Sequence, residues 1–279
     1  MIIALFPNQR KLQSFDLAKD IAKFLKSKNV SVVAEDEKAH LLDVEKISTV
    51  NKQDIKFLVS MGGDGTILRL SHRYSDIDAA IVGINLGYLG FMADIPIQDI
   101  YPSMQDLLDG AYVIENRTIL EATDKNNKKF YAANDVVIHR GAYRSLVELS
   151  LHVDGKYLNT FTADGLIIAT PNGSTAYSLA AGGPILSPEL DSIVITPICA
   201  HTISNRPFVL KSDHKIEIQY LSKNSSIEMH NDGVDTCTVE TGDSVTITKS
   251  KQNFKLVNLN RHDYFNTLRT KLGWSGKLH

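Results

Sequence analysis

The chain has 279 residues, 43% of them hydrophobic and 22% charged, with a formal net charge of -2. That is the balance of a globular protein, long enough for one large domain or two modest ones with their own cores. A near-neutral charge without a basic run argues against nucleic-acid binding, and no apolar run approaches a membrane span.

Residues 1–7 are apolar but too short for a signal h-region, so a cytoplasmic protein is expected. Residues 2–6 read as a strand and 15–25 as an amphipathic helix whose wet face carries Lys19, Lys23, Lys26 and Lys28. Further short apolar strands are expected at 30–34, 55–60 and 79–85. Strands alternating with helices predict a Rossmann-like parallel α/β domain over 1–100, with ligands beyond the carboxyl ends of its strands. Two glycine-rich segments follow strands at that edge, Met61-Gly62-Gly63-Asp64-Gly65-Thr66 and the stretch 83–91.

The first of these is a strand, a glycine turn and a helix start in order, marked by Ile67, Leu68 and Leu70. Gly62, Gly63, Gly65 and Thr66 read as a phosphate-binding loop. Glycines allow close backbone approach, and the first helical amides offer unpaired donors to an anion. Asp64 has no place in phosphate binding alone and reads as a carboxylate aimed at a substrate hydroxyl. The dinucleotide fingerprint fails, because Leu68 stands at its third glycine, and no Walker-type loop occurs.

In a second domain over 101–260 the hydrophobic period becomes two from about residue 115, at 146–153, 215–220, 226–230 and 245–249, with hairpin turns at Asp154-Gly155 and Asp232-Gly233. An antiparallel β-sandwich domain is expected there, and a helix at 263–272, within a 261–279 segment that returns to the first domain. Asn134-Asp135 precedes a buried strand and suits a ribose diol, which needs a donor and an acceptor together. After Asp164-Gly165 an apolar strand enters Thr170-Pro171-Asn172-Gly173-Ser174-Thr175-Ala176-Tyr177-Ser178, where Ser174 and Thr175 stand as helix caps. Small residues about Tyr177 leave room for a flat ligand beside its ring. Cys199 and Cys237 read as buried free thiols, and His139, His152, His201 and His230 as structural. Arg144 and Arg206 read as surface or loop-anchoring cations.

Those motifs, with 197–207 and 264–274, resemble the NAD kinases over most of the chain and in that family's order. The run from Pro171 to Tyr177 separates the likeness from diacylglycerol-kinase-like and phosphofructokinase-like enzymes. The resemblance implies transfer of the γ-phosphoryl of ATP, or of polyphosphate, to the 2′-hydroxyl of the adenosine ribose of NAD. By it Asp64 corresponds to the proton acceptor, Gly65 to the backbone beside it, and Phe91 to an aromatic at the adenine edge. Asn134 and Asp135 correspond to a pair at the nicotinamide-side ribose and the metal region, and Asp164 to an acid contacting the dinucleotide. Thr175, Ala176, Tyr177, Ser178, Leu179 and Ala180 correspond to the adenosine-binding turn. A homodimer or homotetramer is implied as well.

Magnesium or manganese is expected to screen the triphosphate, because the motifs bring few cations with them; no residue is assigned as its ligand. The chain departs from the family at Val234, where a glutamine is usual, and at Thr162-Ala163, where a basic residue often precedes the acid. The alternatives are a lipid kinase sharing the glycine loop and a non-catalytic NAD(P)-binding sensor.

Overall fold

The computed structural model describes residues 1–87, 89–202, 204–223, 226–259, 261 and 263–274. Tyr88 of the second glycine-rich segment, Ile203 of the 197–207 loop, and Asn260, His262 and 275–279 lie outside the described residues. The chain divides into two compact units, Met1–Asn116 with Lys255–His279, and Arg117–Phe254. The first division therefore falls after residue 116 and not at 100, because the helix at 100–109 buries Ile100, Met104 and Leu107 in the first unit's core.

The first unit runs β1 (Ile2–Pro7), α1 (Leu12–Ser27), β2 (Ser31–Ala34), α2 (Asp36–Leu42), β3 (Glu45–Lys46), β4 (Ile55–Gly62), α3 (Asp64–Arg73), β5 (Ala80–Asn85), β6 (Ile95–Pro96) and α4 (Ile100–Asp109). Its main strands are parallel in the order β3-β2-β1-β4-β5. That is one half of a doubly wound sheet with its switch point between β1 and β4, where the carboxyl ends of neighbouring strands open a crevice. Ala18, Ile21, Ala22 and Leu25 of α1 pack on Ile3, Leu5 and Val59, while its Lys19, Lys23 and Lys26, and Lys28 just past its end, stay exposed.

The second unit continues with β7 (Val113–Thr123), which begins in the first, then β8 (Lys129–Ala132), β9 (Asp135–His139), β10 (Val147–Val153), β11 (Lys156–Ala163), β12 (Gly165–Ala169), the short helix α5 (Tyr177–Ala180), β13 (Ser192–Ile198), β14 (Phe208–Lys211), β15 (Ile216–Tyr220), β16 (Ile227–Asn231), β17 (Asp235–Val239) and β18 (Ser244–Asn258). One antiparallel sheet has the order β14-β13-β12-β9-β16-β17, and a second contains β11-β10-β15-β18. Val136, Ile138, Leu166 and Ile168 of one pack with Leu149, Leu151, Ile216 and Ile218 of the other, forming a sandwich core. Asp154 and Gly155 have φ of 49° and 75°, the geometry of a two-residue hairpin whose twist matches its strands.

β18 extends past the expected 245–249: its first residues pair with β15, and Leu256 pairs in parallel with Ile81 of β5. The chain thereby re-enters the first unit and ends in α6 (Tyr264–Leu272). Asp263 caps that helix by accepting from the Phe265 N–H at 3.0 Å, and Gly273 closes it at φ 64°. Among the described residues no helix is long and apolar enough to cross a membrane.

Candidate active site

In the first unit β4 delivers Gly62 and Gly63, and α3 starts on Asp64. The Asp64 carboxylate is not left open in the loop. Oδ2 accepts from the Phe91 N–H at 2.8 Å, and Oδ1 accepts from the Met92 and Ala93 N–H groups at 3.1 and 2.9 Å. An ionised carboxylate has about four acceptor sites, so three are filled and one remains for a further donor. The two glycine-rich segments thus form one device, in which the second holds the acid of the first. Gly90 is required for it, because a Cβ there would collide with Asp64 Oδ1. Phe91 leans on Tyr264 of α6, with ring centroids 6.1 Å apart, and lies 5.9 Å from Lys271 Nζ.

The expectation of few cations is corrected here. A cavity of about 340 Å³ in the same unit is lined by Arg10, Lys38, Arg69 and Arg73 as well as Thr66. These cations are scattered in sequence and come together because β1, β2 and α3 converge at one edge of the sheet.

In the second unit a cavity of about 440 Å³ is lined by Asn134, Asp135, Ala176, Tyr177, Asp232 and the two histidines His139 and His230. Strand register explains the grouping. Asp135, Val137 and His139 alternate onto one face of β9, and His230 pairs opposite Val137. His139 and His230 therefore line the cavity, whereas the sequence suggested structural roles. Burial lowers the pKa of His139, which favours its neutral form.

The polypeptide at 133–135 is fixed from several directions. The Asp232 carboxylate accepts from the N–H groups of Ala133, Asn134 and Asp135 at 2.7, 2.8 and 3.0 Å. Thr170 donates its N–H to the Asn134 carbonyl and its hydroxyl to that of Ala133. Gly173 lies so close to Asn134 that a Cβ would collide with its carbonyl. Asn134 Oδ1 accepts from Asn172 Nδ2 at 2.6 Å, which directs its own amide nitrogen elsewhere. Asp135 is only 6% exposed, and burial, with the nearby Asp232 charge, pushes its pKa up to about 7.

Asp164 receives Arg140 Nε at 2.5 Å, and its carbonyl accepts the Arg140 N–H. The cation missing at Thr162-Ala163 is thus supplied from the end of β9. Only its place directly after the polar pair and buried strand marked it in the sequence.

Ser174 and Thr175 do not cap a helix. They lie within a 3₁₀ turn, and α5 begins after Ala176 without a side-chain cap. The Ser174 hydroxyl donates to Pro171 O and accepts from Leu186 N–H, tying the turn to the following loop. Ser178 is fully buried and bonded to Thr196 at 2.8 Å, away from the cavity, whereas Tyr177 is 44% exposed on its rim. Cys199 is exposed rather than buried, since it follows β13 at a turn with φ 46°; Cys237 is half-buried, and both are free. Among the described residues no group of three or more His, Cys, Asp or Glu side chains could hold a metal ion.

Comparison with known proteins converges on one family. Residues 3–112 match the ATP-NAD kinase N-terminal domain, and 133–259 the ATP-NAD kinase C-terminal domain. The NAD kinase of Protochlamydia amoebophila is 52% identical over 277 residues, covering 99% of each chain, and that of Geotalea daltonii is 37% identical, covering 98% of each. The crystal structure of yeast NADH kinase complexed with NADH superposes with a TM-score of 0.86 at 26% identity, covering all of this chain and 89% of that one. An Archaeoglobus fulgidus NAD kinase in complex with ATP shares the fold, with a TM-score of 0.75 at 22% identity, covering 99% of each chain. The chain belongs to the ATP-NAD kinase family.

Proposed function

We propose that the chain is an NAD kinase, transferring the γ-phosphoryl of ATP to the 2′-hydroxyl of the adenosine ribose of NAD to give NADP and ADP. The observation that carries the mechanism is the Asp64 carboxylate, oriented by three backbone N–H groups with one acceptor site left. A ribose hydroxyl donates to that site as it attacks the γ-phosphorus. The bond from the γ-phosphorus to the bridging oxygen breaks, ADP leaves, and the hydroxyl proton passes to Asp64. In a loose transition state the proton moves late, so the acid must chiefly be in position.

Gly62, Gly63, Gly65 and Thr66 carry the phosphate-facing loop in this reading. Asn134 and Asp135 hold ribose hydroxyls, Asp164 contacts the dinucleotide, and Phe91 borders the adenine. Thr175, Ala176, Tyr177, Leu179 and Ala180 form the adenosine turn, which Ser178 supports from behind. Magnesium or manganese enters with ATP as part of the substrate and screens the phosphate oxygens. A homodimer or homotetramer is inferred from the family alone.

A coupled assay for NADP with ATP, NAD and magnesium tests the reading. NADP at a rate proportional to enzyme is expected. Tight NAD binding without product would favour a sensor, and phosphorylation of diacylglycerol in place of NAD would favour a lipid kinase.

A further inference from the structure

None of residues 264–274 touches NAD or ATP in the proposed reaction, yet α6 meets the site at one point. Tyr264 packs its ring on Phe91, with centroids 6.1 Å apart and planes at 45°, and Lys271 Nζ lies 5.9 Å from the centroid of the same ring. Seven residues make about two helical turns, so Tyr264 and Lys271 stand on one face of α6 and hold Phe91 along it. The helix is a firm support. It buries Thr267 and Leu268, Asp263 caps its start, and the Trp274 N–H closes its end on the Arg269 carbonyl at 2.9 Å.

Phe91 is where this helix and the Asp64 clamp join: its ring faces α6, and its N–H holds Asp64 Oδ2. The rest of the clamp is secured by the sheet. Met92 and Ala93 are buried against Gly83 of β5, so closely that a Cβ there would collide with the Met92 carbonyl and Ala93 Cα. Their N–H groups fill both acceptor sites of Oδ1, and the site left for a substrate hydroxyl is therefore on Oδ2. The oxygen that takes the proton is the one that Phe91 orients. Phe91 itself is only half-buried, and the brace on its ring comes from α6.

We propose that Tyr264, seconded by Lys271, is a positioning residue for phosphoryl transfer: its ring fixes Phe91, whose amide sets the direction of Asp64 Oδ2. The C-terminal helix thus governs turnover without touching either substrate. The inference rests on the proposed role of Asp64 as proton acceptor and adds to it the means by which the working oxygen is aimed.

The test is a double-mutant cycle on the whole chain, with kcat measured at saturating NAD, ATP and magnesium for wild type, Tyr264→Ala, Asp64→Asn and the double variant. Tyr264 is half-buried in the first turn of a helix, where alanine is well tolerated, so the variant folds. An aromatic pair is worth a factor of roughly three to ten, and Tyr264→Ala should lower kcat by that factor in the presence of Asp64. In the Asp64→Asn background there is no carboxylate to aim, and the same change should leave the residual kcat within about twofold. Tyr264→Phe keeps the ring and should restore turnover. Lys271→Met should reproduce the loss in weaker form.

Equal loss of kcat in both backgrounds would reduce Tyr264 to a general structural role and overturn the proposal, as would wild-type kcat in Tyr264→Ala. The KM for NAD is read separately, because Phe91 also borders the adenine; a defect confined to KM would give the ring pair a binding task and overturn the positioning role. Tyr264→Phe as damaging as Tyr264→Ala would show that the ring is not the brace. Full turnover in Asp64→Asn alone would remove the acid and the brace together, whereas equal losses in the two backgrounds would remove the brace and leave the acid standing.

Discussion

Replacing Asp64 with asparagine separates two jobs that one side chain performs. The amide keeps a single good acceptor. If its oxygen takes the Oδ1 place, the Met92 and Ala93 N–H groups stay bonded, but the Phe91 N–H then faces an NH₂ group. One hydrogen bond to a charged acceptor is lost, worth about 1.5–3 kcal/mol, and a donor is stranded against a donor. Asp64→Asn should therefore melt several degrees lower. It should also lose the proton acceptor, for which general-base catalysis sets a fall in kcat of roughly 100- to 10,000-fold. Thermal melting, NAD titration and the coupled NADP assay on the same sample measure these separately. Melting as in wild type would refute the clamp, and kcat within about threefold of wild type would remove Asp64 from proton transfer.

Gly90→Ala should reproduce part of the kinetic defect with Asp64 still present, because its Cβ meets Oδ1; unchanged kcat would mean that the carboxylate needs no such fit. The raised pKa of Asp135 has a stability consequence of definite sign. Folded protein holds this proton more tightly than unfolded chain, so the contribution is full below the ordinary carboxylate value and is lost as pH rises toward 7 and beyond. Asp135→Asn should lose less stability than wild type between pH 5 and 8, by a few kcal/mol at most; parallel urea midpoints would refute this. Chelation of divalent ions should abolish turnover but leave the melting of ligand-free protein unchanged, and a large drop in melting temperature would reveal a resident ion.

The parallel sheet was legible because its strands are short apolar runs punctuated by glycine, and α3 because Ile67, Leu68 and Leu70 follow the turn at helical spacing. α2 escaped notice because Asp36, Glu37 and Lys38 dilute any apolar face over only seven residues. The length of β18 was hidden by the polar run Ser250-Lys251-Gln252-Asn253, which reads as a loop but continues the ladder. Around the glycine loop and the two cavities, local motifs drew attention only to the residues that carry them, and those brought in by topology drew none. Arg10, Arg69 and Arg73 carry no motif of their own, and Arg140, marked in the sequence only by its place after β9, is set apart by its bond to Asp164. Asp232 was read as a hairpin residue, which it is at φ 52°, but its carboxylate also organises 133–135 from about 98 residues away.

The central claim concerns one oxygen, and a crystal structure of the whole protein with NAD, magnesium and a non-transferable ATP analogue addresses it directly. The 2′-oxygen of the adenosine ribose should stand at about 2.6–3.2 Å from an Asp64 carboxylate oxygen, on the acceptor site the backbone amides leave open. A competent ternary complex in which that oxygen points away from residue 64 would contradict the account.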